Sequence, residues 1–149
     1  MAWWDKTGLI GRTVTRAPLV LAAATTPIFS IAGGRIMLTS IIGAITTLIG
    51  GAANVYLQLN PTIVTSTVTA LCNPLNINAR PVGDFLGITG VPGDPMIPVT
   101  TGCAIPSMLA PMVISIGDIE FVCDAAPGGA VLWTVTYLPI EDNAYIIAA

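Results

Sequence analysis

The chain has 149 residues, of which 54% are hydrophobic and only 9% are charged, and its formal net charge is −3. This length suits one domain with a sizeable core. However, the charged fraction is far below the ~25% that is usual, so we expect the surface to be covered by copies of the chain, by another protein or by a membrane. All five bases and one acid lie in the first 80 residues and seven acids lie in the other 69, which favours pairing between chains over nucleic-acid binding, since the latter needs a basic face.

Residues 1–17 are predicted to form an N-terminal arm, followed by a single β-sandwich domain in residues 18–149. Trp3 and Trp4 are adjacent, and Arg12 and Arg16 follow among glycine and threonine residues. Tryptophan and arginine are enriched at interface anchors, so we expect these four side chains to contact a neighbouring subunit. The alternative is that both tryptophans cap the core of their own domain. Charges are interspersed through the segment and no seven-residue apolar run occurs, which argues against a signal peptide.

The uncharged stretch at residues 36–53, IMLTSIIGAITTLIGGAA, has three possible interpretations. Its length of 18 residues is enough for a membrane span to be considered, and its apolar residues also fit helical spacing. Isoleucine and threonine supply eight of the fifteen residues from 36 to 50, and β-branched side chains favour strands. We therefore predict a strand here, and we keep an amphipathic helix and a membrane span as alternatives.

Several shorter segments also have the composition of strands. Residues 55–60 alternate apolar and polar side chains before Pro61, and the Thr/Val-rich segment at residues 62–72 is predicted to be another strand. A loop is expected in residues 73–84, followed by a short strand in residues 84–90, and residues 108–117 lead into the run that starts at Asp118. The apolar tail at residues 143–149 is expected to lie against a neighbour. About eight short strands separated by Gly/Pro turns predict an all-β fold, a β-sandwich or barrel, and of these we expect a jelly-roll-like sandwich.

The run from Asp118 to Pro139 is the strongest pattern in the chain. Its first half places Ile119, Phe121 and Cys123 on one face, and its second half does the same with Val131, Trp133, Val135 and Tyr137, as the period of two in a strand requires. The sequence Ala-Pro-Gly-Gly lies between the halves and is typical of a turn. The pattern predicts a β-hairpin whose apolar face is covered by a second sheet.

Few residues in the chain suggest a catalytic or metal-binding role. The chain has no histidine and three scattered cysteines, Cys72, Cys103 and Cys123, which favours neither a disulfide framework nor a zinc site and fits a reducing compartment. Asp118, Glu120 and Asp124 share one strand face; they could hold a cation, but we expect solvated acids or acids that meet a neighbour's arginines. Asp84 and Asp94 are predicted turn residues. No catalytic residue, metal site or cofactor is predicted, so we expect a protein that is not an enzyme.

The order of several short motifs resembles a known group of proteins. GRTVTRAPLVLAAATTPIFSIAGGRIMLTSIIGAIT is followed by LNPT, LNIN, DFLGITG, TTGCA and GAVLWTVTYLPIE. Over roughly Arg12 to Glu141 the chain is similar to capsid decoration (cement) proteins of tailed bacteriophages, several of which are jelly-roll trimers. The resemblance implies a virion protein on the capsid surface, assembled in the host cytoplasm, that binds an HK97-like major capsid protein. It implies no catalytic residues.

Other functions remain open from the sequence. The protein could belong to the tail or to the base of a head fibre, since fold does not fix function. It could also be a small membrane protein that spans with residues 36–53, or a sandwich that binds a ligand or glycan through its loops.

Overall fold

A computed structural model describes residues 11–63, 65–100 and 108–149, and it shows an all-β protein in which two antiparallel sheets pack face to face. The predicted β-sandwich is therefore confirmed. Its described strands are β1 (Arg12–Thr15), β2 (Leu19–Val20), β3 (Ala24–Ala32), β4 (Ile36–Thr47), β5 (Ala53–Pro61), β6 (Thr69–Ala70), β7 (Leu75–Ile77), β8 (Phe85–Gly87), β9 (Ile97–Val99), β10 (Met112–Ile114), β11 (Gly117–Cys123), β12 (Ala130–Pro139) and β13 (Tyr145–Ala148).

The strands divide into two sheets whose members are not consecutive in the chain. Sheet A has the order β1-β12-β4-β8-β9, with β2 also paired to β12 and β10 to β4. Sheet B has the order β13-β3-β11-β5-β6, with β7 also paired to β5. The chain therefore crosses from one sheet to the other at each step from β3 to β4 to β5, and again from β10 through β13. These crossings bring the apolar faces of successive long strands together from opposite sides of the core.

The predicted hairpin between residues 118 and 139 is wrong. Strand β11 pairs with β3 and β5 in sheet B, whereas β12 pairs with β1, β2 and β4 in sheet A. The inward faces were nevertheless predicted correctly. The side chains that the sequence placed inside are all buried: Ile119, Phe121, Cys123, Val131, Trp133, Val135 and Tyr137. The two halves cover each other across the sandwich and share no ladder of hydrogen bonds.

The link between β11 and β12 passes over the end of β4. Gly129 has φ +87°, and a Cβ there would lie 2.8 Å from both the Ile49 Cγ1 atom and the Leu48 carbonyl oxygen. Glycine tolerates both the positive φ and the close approach. The amides of Gly50 and Gly51 donate to the Pro127 oxygen at 3.2 and 3.1 Å, which fastens the crossing to the domain.

Trp133 lies at the centre of the core and is fully buried. Its ring is 5.3 Å from that of Phe121 in the opposite sheet, at an interplanar angle of 50°, a tilted geometry that aromatic pairs favour. Its neighbour in sheet A is Gly43 of β4, where a Cβ would lie 2.9 Å from the Trp133 ring. The missing side chain at position 43 therefore provides the space that the indole fills.

The uncharged stretch from residue 36 forms strand β4, so the predicted strand is confirmed and the helix alternative is wrong. Strand β4 is long and central, and it pairs with β12, β8 and β10. Within the described ranges, no helix is long and apolar enough to cross a membrane.

Two of the shorter predictions need correction. Among the described residues of the predicted strand at 62–72, only Thr69–Ala70 is in a strand, and those from 62 to 70 are exposed. Threonine and valine favour strands only where neighbours pack against them, and the strand ladder of the described part of this segment pairs Thr69 and Ala70 with Leu59 and Gln58 of β5. The expected loop from residue 73 in turn contains β7, which pairs with the start of β5.

Both ends of the described chain lie on the sandwich itself. The apolar tail forms β13, which pairs with β3 and buries Ile146 in its own core. The expectation that the tail lies against a neighbour is thus wrong for this residue, although Tyr145 and Ile147 are about half exposed. Likewise Arg12–Thr15 pairs with β12, so this part of the predicted arm is an edge strand and does not reach away from the domain.

Candidate functional site

The predicted interface residues divide into two groups. Trp3 and Trp4 lie outside the described residues. Arg12 is exposed on the edge strand β1, and no ion pair of Arg12 occurs within residues 11–63, 65–100 and 108–149. Arg12 therefore remains a candidate for a contact with another molecule.

Arg16 has an intramolecular role that the sequence did not reveal. Its Nε donates to the main-chain oxygen of Ala149 at 3.0 Å, its Nη1 donates to the Ala17 oxygen at 3.2 Å, and its amide donates to the Trp133 oxygen at 2.9 Å. The side chain thus joins the end of β1 to the residue that follows β13. This contact fastens the two sheets to each other, and the role of Arg16 as an intermolecular anchor stays a prediction.

The outer face of sheet B carries a row of acids, which we call the acidic stripe: Asp118 and Glu120 on β11 and Asp124 just after it. The Ser30 hydroxyl donates to Asp118 Oδ1 at 2.6 Å. Glu120 is only 7% exposed, because the side chains of the neighbouring strands enclose it. Within the described residues, no group of three Cys, Asp or Glu side chains is arranged so that it could hold a metal ion.

The other two acids of the acidic stripe, Glu120 and Asp124, accept hydrogen bonds from amide groups of the adjacent strand β5. Gln58 Nε2 and Asn60 Nδ2 donate to the two carboxylate oxygens of Glu120, at 2.6 and 3.0 Å. Asn54 donates to Asp124 twice, from its main-chain amide at 2.7 Å and from its side chain at 2.6 Å. The hydrogen bond from the Asn54 side chain, followed by the one from its backbone, holds the pKa of Asp124 below its ordinary value. Sequence analysis found the acids but missed these donors, although residues 54, 58 and 60 share one strand face.

The outer face of sheet A has a different chemistry. Residues opposite each other in an antiparallel pair point to the same side, so the register identifies every outward side chain. Across β12, β4, β8 and β9, one such row is Leu132, Ala44, Phe85 and Val99. Fifteen of these outward residues form what we call the uncharged face: Thr13, Thr15, Met37, Ser40, Ile42, Ala44, Phe85, Gly87, Ile97, Val99, Val113, Leu132, Thr134, Thr136 and Leu138.

Four of the five hydroxyl groups of the uncharged face are paired within the sheet. The hydroxyls of Thr13 and Thr136 lie 3.3 Å apart, and those of Thr15 and Thr134 lie 3.2 Å apart. Such cross-strand threonine pairs stabilise a sheet. The face therefore presents methyl groups and apolar side chains, and it lacks the charges that outward positions of a solvent-facing sheet usually have.

The remaining described charges are mostly engaged at the ends of the sandwich. Arg35 Nε lies 2.7 Å from Glu141 Oε1, and this guanidinium holds the pKa of Glu141 below its ordinary value. Arg80 Nη1 lies 3.6 Å from Oδ2 of Asp84, which is 2% exposed; Asp84 was predicted only as a turn residue. Asp94 does lie in a turn, where its amide donates to the Val91 oxygen at 3.0 Å.

The described cysteines are part of the core. Cys72 and Cys123 are buried free thiols, and burial raises the pKa of both. A thiol with a raised pKa is a poor nucleophile at neutral pH, so both act as small packing residues, as predicted for Cys123. Cys103 lies outside the described residues.

The outer face of sheet B thus carries the acidic stripe, whereas the uncharged face of sheet A presents mainly apolar groups. No protein-family model, curated protein or solved structure matches the chain.

Proposed function

We propose that the chain is a structural virion protein: a capsid decoration (cement) protein that stabilises a bacteriophage head by bridging major capsid protein subunits. It acts as a homo-oligomer, most simply a trimer, on the capsid surface after assembly in the host cytoplasm. The proposal takes its function from the resemblance described above and its physical support from the surface of the sandwich.

The supporting observation is the amount of large apolar surface that the domain exposes. Leu109 is 81% exposed, Val20 is 68% and Val113 is 60%. Large apolar patches on a folded domain mark contacts with other proteins or membranes. A shell protein is surrounded by neighbours on several sides, so such side chains are buried once it is in place.

The chemistry of these contacts also suits a shell. Apolar burial contributes about 25 cal/mol per Å² and is not screened by salt, whereas exposed ion pairs contribute ~0–1 kcal/mol. Because each copy repeats the same contacts, a modest gain per copy becomes a large stabilisation of the whole head.

The direct test uses phage heads that lack the protein. Purified chain is added to such heads and to isolated tails, and bound protein is measured after sedimentation. We expect saturable binding to heads that persists at high salt, and no uptake by heads that already carry the protein. Binding to tails alone would contradict the proposal and would favour a tail component.

The predicted anchors can be tested in the same assay. Trp3→Ala combined with Trp4→Ala should weaken binding at every salt concentration, because the loss is apolar. Arg12→Ala should weaken it mainly at low salt, where exposed charges are least screened. Arg16→Ala should likewise weaken binding mainly at low salt, and it should also lower the melting temperature, since Arg16 bonds within its own domain. Full binding by the tryptophan variant would place the anchor elsewhere.

A further inference from the structure

We propose that the uncharged face of sheet A is the surface through which copies of the chain bind each other. The proposed function supplies the expectation that copies associate; the identity of the surface comes from the structure. The occupant of this face is accordingly the uncharged face of a second copy.

The first argument is that sheet A has the composition of a sheet buried on both sides. A sheet with one side in water normally alternates apolar inward and polar outward residues. In β4 three of the four residues on the uncharged face, Met37, Ile42 and Ala44, are apolar, and all three are only half-buried. In β8 and β9 the outward side chains Phe85 and Val99 are apolar as well. This pattern indicates that another layer covers the face.

The second argument is the complementarity of charge. Covering an uncharged face with a charged one would remove charges from water without giving them partners, which is costly. The outer face of sheet B is unsuitable for this reason, since it carries Asp118, Glu120 and Asp124. A second copy's uncharged face meets the requirement, because its threonine hydroxyls are already paired and no charged group is buried.

The third argument is the size of the face. With strands ~4.8 Å apart and a rise of ~3.3 Å per residue, sheet A covers roughly 600 Å² in plan. Stable interfaces bury about 800 Å² per partner, and the accessible area of a corrugated face exceeds its plan area. The uncharged face is therefore comparable in size to the surface that one partner buries in a stable interface.

The test inserts one charge at matched positions on the two faces. Thr134 lies on the uncharged face in β12, and Thr25 lies on the outer face of sheet B in β3. A lysine at an outward position can extend its ammonium to water in an isolated domain, so both variants should fold. The masses of wild type, Thr134→Lys and Thr25→Lys are measured by size-exclusion chromatography with light scattering, without detergent, over a range of concentrations.

We expect wild type and Thr25→Lys to be oligomers of equal mass and Thr134→Lys to approach the single-chain mass of 15.3 kDa. If Thr134→Lys does not fold, Thr15→Lys on the exposed edge strand of the same face replaces it. A monomeric wild type, or an unchanged mass for the folded variants on this face, would overturn the inference; the second result would mean that other parts of the chain or another protein cover it.

This outcome is distinct from the failure of the proposed function. Light scattering contains no phage component, so it reports only on contacts between copies. A protein that is oligomeric through this face yet does not bind heads would contradict the decoration role and leave the inference standing. A protein that binds heads as a monomer would contradict the inference and leave the decoration role standing.

Discussion

At the scale of single residues, one constrained position in the core is a glycine. Gly43 lies in the middle of the long strand β4, where glycine is unfavourable because it packs no side chain. The structure gives the reason, since the Trp133 ring occupies the space beside it. Neither residue alone indicates this in the sequence; the pair is recognisable only when β4 and β12 are known to be neighbours.

Gly43→Ala should therefore destabilise the domain. The added methyl would lie 2.9 Å from the rigid indole, and overpacking a core costs about 1–3 kcal/mol. Chemical denaturation measures the free energy of unfolding. The matched control is Gly93→Ala in the exposed turn, where no heavy atom lies within 4 Å of the added Cβ and no loss is expected. Equal stability of the two variants would contradict the packing described here.

A second residue-scale prediction concerns Asp124. Its folded-state pKa is lowered, first by the Asn54 side chain and then by the Asn54 backbone. A lowered pKa means that this carboxylate stabilises the fold above its unfolded pKa of ~3.9, and that the contribution is lost as the pH falls through the folded value. NMR titration of the carboxyl carbon should show the Asp124 pKa moving up toward its ordinary value in Asn54→Ala. The control is Asn73→Ala, because the Asn73 side chain donates to the Gly93 oxygen. In this control the Asp124 pKa should not change. An unchanged pKa in Asn54→Ala would refute the role of this amide.

At the scale of elements, the sequence predicts faces better than partners. The period of two in residues 119–123 and 131–137 identified the buried side chains, because burial acts on each strand locally. It could not distinguish a hairpin from two strands facing each other across a core, since both bury the same residues. The prediction for residues 62–72 failed for a related reason: Thr/Val content favours a strand only when a partner is available.

The edge strand β1 provides an element-scale prediction. Removing residues 1–16 deletes the four-residue ladder with β12, the half-buried Val14 and the bonds from Arg16, whereas removing residues 1–10 leaves all of these in place. At ~0.5–1.5 kcal/mol per hydrogen bond, the longer deletion should be less stable than the shorter one by about 2 kcal/mol or more. Thermal and chemical denaturation of the two truncated proteins measures this difference. Equal stabilities would show that β1 is not part of the folding unit.

At the scale of the whole molecule, the sandwich has two chemically different faces. The acids of one face were recognised from the sequence, because β11 alone places them together. The uncharged face was not, since its residues come from strands that are far apart in the chain and become neighbours only in sheet A. The low charge content predicted that part of the surface would be covered, and the structure indicates which part is suited to it.

The central claim, that the chain is a decoration protein of a phage head, is tested most directly by cryo-electron microscopy of the virion that contains it. We expect two-layered β-sandwich density on the outside of the head, in groups of copies that contact each other through sheet A and bridge neighbouring capsid subunits. A head surface without this density, or the same density found only in the tail, would contradict the claim.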